Sequence, residues 1–371
     1  MGNIQDLRTP AFLIDLAVLQ RNAQRMSELA QRCDVRLRPH TKTHKTLQIA
    51  NTQTEGGFRG LTVSTLVEAE YYKQKGFSDI TYAFPIHPAK LGEVERISEG
   101  IQLHILVDHQ EQIQAVQEYA SRHRSHFSVM LKIDCGYHRA GVDWSSARAV
   151  QMALKLERGR DVHFEGILTH AGHSYDAPNL PKISKIARQE RDTMLRFAEK
   201  LESEGIYCQT ISIGSTPTIM QAESLEGISE IRPGNYIFFD KFQADVGTCQ
   251  LEDCAATVLA GVVSHYPGRN QMLIDAGAVA LSKDPGATHK FPGREVVYGA
   301  VLGHPQLKIT SLSQEHGLVT ADSSIPFQRH PIGSQLRIVP NHSCLTAACF
   351  PEYQVVEGDR VKESWRPLRG W

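Results

Sequence analysis

The chain has 371 residues, 41% of them hydrophobic, and its 40 basic and 41 acidic side chains leave a formal charge of −1. That is ample for a large core, too long for one ordinary domain unless that domain is a barrel, and too evenly charged for nucleic acid to be an expected partner. The opening MGNIQDLRTPAFLID has no apolar signal core, and the chain shows no membrane-spanning segment. Met1-Gly2 fails as a myristoylation signal because position 6 is Asp6. Seven scattered cysteines, an odd number, point to reduced thiols in a cytoplasmic protein and not to a disulfide frame. Asn341-His342-Ser343 matches a glycosylation sequon and is discounted, since nothing suggests secretion.

From Asp15 onwards strand and helix patterns alternate. Asp15 is placed to cap a helix over 16–32, with Leu19, Ala23, Met26 and Leu29 near helical spacing. Residues 35–38 read as a short strand, followed by a polar stretch that holds Lys42. Strand 60–63 precedes helix 66–75, and strand 80–84 precedes helix 88–98. The pattern repeats as 103–107 with 109–123, 129–133 with 145–157, and 164–168 with 181–204. Strands at 210–213 and near 230–232 complete about eight units in roughly 240 residues, which argues for parallel βαβ units closed into a barrel. The predicted fold is therefore α/β, a (β/α)8 TIM-type barrel over residues 11–245, with an open doubly wound sheet as the competing architecture. Near residue 245 the rhythm changes. Segments 256–263, 271–274, 306–312, 336–338 and 353–356 read as strands with little helix between them, which predicts a β-rich domain over 246–371 that the first ten or so residues join.

In such a barrel, chemistry sits on the loops that follow the strands. Those loops are Pro39-His40-Thr41-Lys42-Thr43-His44-Lys45, Asp134-Cys135-Gly136-Tyr137-His138-Arg139-Ala140-Gly141, Thr169-His170-Ala171-Gly172-His173-Ser174-Tyr175, Gly214-Ser215-Thr216-Pro217-Thr218 and Arg232-Pro233-Gly234-Asn235-Tyr236. Glycine with hydroxyls at 214–216 and glycine with an amide at 234–235 suit a phosphate, because backbone N–H groups approach closely only where side chains are small. The first of these segments reads equally well as an ordinary turn and helix cap. Lys42 stands among His40, His44 and Lys45. Neighbouring positive charge and partial burial favour loss of its proton, as a Schiff-base lysine requires; a solvated basic loop is the competing reading. In the β-rich domain, His342-Ser343-Cys344 taken as a strand places imidazole and thiol on one face. The pair suits zinc with an open coordination position, or else a buried thiol beside a hydrogen-bonded histidine. Cys349 would face the other way in a regular strand, and Cys249 and Cys254 read as structural.

Taken together, these segments resemble the metal-activated pyridoxal-phosphate family on the alanine racemase-like fold. That family includes eukaryotic-type D-serine dehydratase, D-threonine aldolase and D-threo-3-hydroxyaspartate dehydratase. The match runs nearly end to end. It includes Thr9-Pro10-Ala11, Arg38 to Lys45, Ser64-Thr65-Leu66-Val67-Glu68-Ala69, Gly214 to Pro217, Pro233 to Tyr236, Gln314-Glu315-His316-Gly317 and Arg369-Gly370-Trp371. The resemblance implies that Lys42 holds the cofactor and removes the α-proton, while Lys45 is a helix-start residue. It implies that Gly214, Ser215, Thr216, Gly234 and Asn235 surround the phosphate and that Arg139 lies near the pyridine hydroxyl. His170, Tyr175 and Tyr236 would line the ring and substrate, and His342 and Cys344 would bind Zn2+ or another divalent ion such as Mn2+ or Mg2+. The implied reaction is conversion of a small D-amino acid, D-serine, to pyruvate and ammonia by a homodimeric lyase. Aldolase relatives carry a carboxylate at the second metal position, so Cys344 points to the dehydratase side. D-threonine aldolase and D-threo-3-hydroxyaspartate dehydratase are the alternatives. A non-catalytic cofactor-binding protein is a remoter one, since such proteins lack a C-terminal β domain.

Overall fold

The computed structural model describes residues 2–287 and 295–371. The chain divides into two compact units, one formed by Met1–Gln24 with Asn235–Arg369 and the other by Arg25–Gly234 with Gly370–Trp371.

Strand β1 (Ala11–Asp15) leads into helix α1 (Leu16–Arg32), whose Leu19, Ala23 and Met26 are buried. Asp15 caps the helix as the sequence predicts, its Oδ1 accepting from Val18 N at 3.1 Å. The second unit then runs β2 (Arg36–Leu37), α2 (Leu47–Thr54), β3 (Gly60–Val63), α3 (Leu66–Gln74), β4 (Asp79–Pro85), α4 (Leu91–Ser98), β5 (Gln102–Val107) and α5 (Gln110–His123). It continues through β6 (Phe127–Asp134), β7 (Val142–Asp143), α6 (Ala147–Glu157), β8 (Val162–Leu168), α7 (Leu180–Ser203), β9 (Thr210–Ile213), α8 (Thr216–Met220) and β10 (Glu230–Ile231).

Eight of these strands form one parallel sheet in the order β2, β10, β9, β8, β6, β5, β4, β3, with β7 a short side branch on β6. The remaining gap, between β2 and β3, is bridged at one point by a parallel pair, His40 with Thr62. There Thr62 N donates to Pro39 O at 3.0 Å, and Thr41 Oγ1 donates to Thr62 O at 3.2 Å. The sheet is thus a nearly closed barrel and not an open doubly wound sheet. Its narrow seam lies beside Lys42, where Pro39 has no N–H to donate.

A buried ionic network crosses the same region. Arg38 is 2% exposed; its Nε donates to Glu230 Oε2 at 2.6 Å, and its Nη1 donates to Asp79. Burial alone would raise the Glu230 pKa, but the guanidinium charge and the hydrogen bonds hold it below the usual carboxylate range. Removing Arg38 takes away the guanidinium that contacts this buried carboxylate and leaves it only Ser212 and the charge of Arg232, so Arg38→Met is expected to cost about 3 kcal/mol at neutral pH. Urea unfolding checks this. The sign with pH follows from the lowered folded value. The wild-type contribution is complete above the unfolded carboxylate pKa and is lost as pH falls towards the folded one. In the variant, protonation of Glu230 relieves the defect, so the gap between the two proteins closes on acidification.

The other unit carries α9 (Lys241–Asp245), β11 (Ala256–Tyr266), β12 (Gln271–Ile274), α10 (Ala278–Leu281), β13 (Ala300–Val301), β14 (Leu307–Leu312), β15 (Gly317–Ala321), β16 (Gln335–Val339), α11 (Ser343–Cys349), β17 (Tyr353–Glu357) and β18 (Arg360–Trp365). Strands β12, β15, β14, β13, β16 and β11 pair in that order, and β11 returns to β12, which closes an antiparallel ring. β1 extends this sheet, antiparallel to β11 and parallel to β17.

Two boundaries differ from the sequence reading. Residues 11–24 and 235–245, expected with the barrel, belong to the β-rich unit. The reason is packing: Phe12 sits against Phe238, Phe350 and Tyr353, with ring centroids 5.9, 5.5 and 4.8 Å away. The segment His342-Ser343-Cys344, taken as a strand, instead forms the N-cap and first residues of helix α11. Among the described residues no helix is long and apolar enough to cross a membrane.

Candidate active site

In the barrel unit, the loop after β2 makes a 3-10 turn over Thr41–Thr43, with His40 as its N-cap; His40 Nδ1 accepts from Lys42 N at 3.4 Å. Lys42 is exposed, not partly buried as the loop composition suggested. Lys45 is committed elsewhere, its Nζ 3.0 Å from Oε1 of the fully buried Glu68. Helix α2 starts two residues beyond Lys45, after Thr46. Glu68 also accepts from Ser64 N and Thr41 Oγ1, and so braces the Lys42 turn from below. His44 is buried, donor and acceptor both used: Nδ1 accepts from Thr46 N at 3.1 Å, and Nε2 lies 2.9 Å from Gln53 Oε1. Burial pushes its pKa down to about 3, so it stays neutral and structural.

Positive charge collects around Lys42. Burial, then the charges of Lys42, Arg232, His170 and His44, hold His40 well below its ordinary pKa. Burial, then Lys42, Lys132, Arg139 and Arg232, does the same to His170, whose Nδ1 lies 3.3 Å from Gly214 O. Lys132, on β6 and 5% exposed, is pushed down to about 8 by burial and by Arg232 and Arg139. Two lysines and two arginines thus crowd two neutral imidazoles at the loop end of the barrel. Asp108 acts on Lys132, and Glu230 and Glu190 act on Arg232, to offset part of this positive charge, and an anionic ligand would offset more.

The loops that were expected to take phosphate are tightly built. Gly214 has φ +116°, and a Cβ there would meet Ile219 at 2.9 Å; a Cβ on Gly234 would meet His40 O at 2.8 Å. Ser215 is the N-cap of α8, in a reciprocal capping box with Thr218. The turn-and-cap reading is therefore true of this segment. Ser215 Oγ also lies 2.9 Å from Ser174 Oγ, which links the loops after β8 and β9. Thr216 is buried. Arg139 is exposed, its guanidinium 4.9 Å from the Tyr137 ring, and Tyr175 is half-buried in the turn Gly172–Asp176.

In the β-rich unit, His342 is the N-cap of α11 and Cys344 is its second helical residue. The two side chains come together through a helix start, not through alternation along a strand. His342 Nδ1 lies 2.8 Å from Asp284 Oδ2, 58 positions away in sequence. Burial lowers the His342 pKa, but hydrogen bonds to Asp284 and Cys344, with the charges of Cys344 and Asp240, push it up to about 11. A carboxylate behind an imidazole is the arrangement that orients a metal-binding histidine. Asn235 Nδ2 contacts Asp240 Oδ2 at 2.8 Å, Ser343 Oγ at 2.8 Å and Cys344 Sγ at 3.8 Å, while its buried Oδ1 has no partner among the described residues. Asp240 Oδ2 accepts from Ser343 N at 3.0 Å and so pins the start of α11. Tyr236 is fully buried. Among the described residues no group of three or more histidine, cysteine or carboxylate side chains is arranged to hold a metal ion. His342 and Cys344 fit only a site completed by water or substrate. Asn341, the sequon residue, is buried, with Nδ2 donating to Asp284 O and Val297 O.

Residues 14–241 match the family model of the alanine racemase N-terminal domain, and residues 255–356 match a serine dehydratase domain. The chain belongs to this alanine racemase-fold, serine dehydratase-type family. It is 40% identical to D-serine dehydratase of Dictyostelium discoideum, over 100% of this chain and 98% of that one. It superimposes on D-threo-3-hydroxyaspartate dehydratase from Delftia sp. HT23 with a TM-score of 0.95 at 36% identity, covering 100% of both chains. A cysteine variant of that dehydratase, in a metal-free form, superimposes equally well, at 35% identity. D-threonine aldolase of Arthrobacter sp. is 28% identical over 96% of this chain and 91% of that one. These relatives are lyases, dehydratases and aldolases.

Asp284, Asp240 and Lys132 carried no sequence signal. Asp284 stands in an unremarkable Lys-Asp-Pro-Gly turn, and Lys132 in an apolar strand.

Proposed function

We propose that this family member is a pyridoxal-phosphate- and zinc-dependent D-serine dehydratase that forms pyruvate and ammonia. The observation that carries the reading is the crowding of Lys132, Arg139 and Arg232 around Lys42 and the neutral imidazoles His40 and His170. An anionic aldehyde cofactor satisfies that surplus of positive charge and uses the exposed primary amine of Lys42. When bound, pyridoxal phosphate supplies an electron sink at Cα, and the metal supplies a Lewis acid for the β-hydroxyl. Lys42 Nζ would anchor the cofactor and would serve as the base for the α-proton. Ser215, Thr216 and the backbone at Gly214, Gly234 and Asn235 would hold the phosphate, and Arg139 would serve the ring hydroxyl. His170, kept neutral, would offer an uncharged imidazole to the ring, and Tyr175 and Tyr236 would line the ring and substrate. His342 and Cys344 hold the metal, zinc in preference to Mn2+ or Mg2+ because a thiolate is a soft ligand. The metal-free cysteine variant among the relatives supports this assignment. We further propose a homodimer acting in the cytoplasm.

Asp284 fixes the His342 ring through Nδ1. Asp284→Asn is expected to weaken zinc binding about 10–100-fold, read by competition against a chromogenic chelator.

The surplus of cations favours a second reading, D-threo-3-hydroxyaspartate, whose extra carboxylate needs a positive partner. A product assay decides between them. Protein loaded with pyridoxal phosphate and zinc is offered D-serine, L-serine, D-threonine and D-threo-3-hydroxyaspartate. Pyruvate from D-serine alone, abolished by a chelator, supports the first reading. Oxaloacetate from the hydroxyaspartate supports the second. Glycine with acetaldehyde from D-threonine, without a keto acid, overturns both in favour of an aldolase.

A further inference from the structure

Glu190 lies in the middle of α7 and has no exposed surface. Its Oε1 accepts two backbone amides from two different loops, Ala171 N at 2.9 Å after β8 and Gly214 N at 3.1 Å after β9. Ala171 directly follows His170, and Gly214 directly precedes Ser215 and Thr216. The neighbouring Gln189 reaches a third loop, its Nε2 donating to Cys135 O at 2.9 Å, four residues before Arg139. One turn of α7 therefore holds the backbone of three consecutive loops that carry site residues.

Anchoring α7 does not require a carboxyl group here. Ile183, Ile186, Ala187, Met194, Phe197 and Leu201 of the same helix are all buried. An apolar side chain at position 190 would avoid the desolvation cost of a polar one. What it would lack is an acceptor for the amides of Ala171 and Gly214, both of which are buried. The other oxygen, Oε2, is buried as well. Burial raises the Glu190 pKa against hydrogen bonds from Thr218, Gly214 and Ala171. Oε1, the acceptor of both backbone amides, is the working part of the side chain.

We propose that Glu190 is a positioning residue: its Oε1 holds the His170 loop and the Gly214-Ser215-Thr216 loop in one register and thereby sets the affinity for the cofactor's phosphate. This rests on the pyridoxal-phosphate reading above. The sequence around Glu190, Ala-Arg-Gln-Glu-Arg-Asp, reads as a solvated helix face, and only the fold turns position 190 inward.

The test titrates full-length wild type, E190Q, E190D and E190A with pyridoxal phosphate, followed by visible absorbance. Thermal unfolding of each cofactor-free protein runs alongside. E190Q keeps an acceptor at the place of Oε1, and its affinity is expected to stay within about threefold of wild type. E190D withdraws the acceptor by one methylene and E190A removes it; both are expected to bind about 10–100-fold more weakly. If E190A fails to fold, the E190Q and E190D pair decides alone. Wild-type affinity in E190D or E190A, or a loss in E190Q as large as in E190D, overturns the proposal and leaves the cofactor reading standing. A wild-type protein that takes up no pyridoxal phosphate overturns the cofactor reading and the Glu190 proposal with it.

Discussion

Lys42→Ala abolishes the visible absorbance of protein reconstituted with pyridoxal phosphate and lowers pyruvate formation from D-serine by about 10³-fold or more, since anchor and base are lost together. Two other lysines of the barrel unit could compete for the role. Lys45 is held 3.0 Å from the buried Glu68 carboxylate, and leaving it would strand that charge. Lys132 is the amine to watch. It is buried on β6, and its pKa, pushed down to about 8, keeps part of it neutral at ordinary pH. Borohydride reduction followed by peptide mass mapping reads the outcome directly. Label on Lys42 in wild type and none in the variant is the expected result. A retained absorbance band with label on Lys132 would transfer the anchoring role and sink the assignment of Lys42.

Cys344→Ala loses bound zinc and elimination activity but keeps the cofactor band. With His342 as the one remaining ligand from this pair, affinity collapses, and so does the Lewis-acid help to a hydroxide leaving group. That help amounts to several kcal/mol, on the order of 10³-fold in rate. The fold should tolerate the change. Asn235 loses only a 3.8 Å contact to sulfur and keeps Asp240 and Ser343, and Asp240 still pins Ser343 N. Elemental analysis, beside a pyruvate assay and an absorbance spectrum, gives the three readouts. Unchanged metal content would remove Cys344 from the metal site, and the competing reading of a thiol beside a hydrogen-bonded histidine would then stand.

The barrel was legible because its information is local. Strand and helix periods alternate along 60–213, and several predicted bounds coincide with the structure, among them 60–63 and 210–213. Helix α1 was announced by Asp15 and by apolar spacing, both within a few residues of the helix itself. The Lys42 loop was legible for the same reason, as a polar run after an apolar strand. The short strands β13, β15 and β18 went unread; each is too brief or too mixed to show a period, and each is strand only because a neighbour supplies hydrogen bonds.

His342 and Cys344 show a harder limit. Their residue types were enough to suggest a metal, yet the supposed route, two side chains on one face of a strand, was wrong. Pro340 ends β16, Asp240 holds Ser343 N, and the chain turns into α11. The partner that orients His342 comes from 58 residues away.

By itself, then, the sequence determined a (β/α)8 barrel followed by β structure, the loops that carry the polar residues, and the family these motifs resemble, because each of these is written in short-range period and spacing. Only the tertiary structure decided that β1 belongs beside β11 and β17, that His40 and Thr62 join the barrel's seam, that Lys42 is exposed while Lys45 is ion-paired, and that Asp284, Asp240 and Glu190 stand behind the residues with the chemistry. These are contacts between segments tens to hundreds of residues apart. They are selected by burial and by the need of every buried polar group for a partner, and no local pattern carries that information.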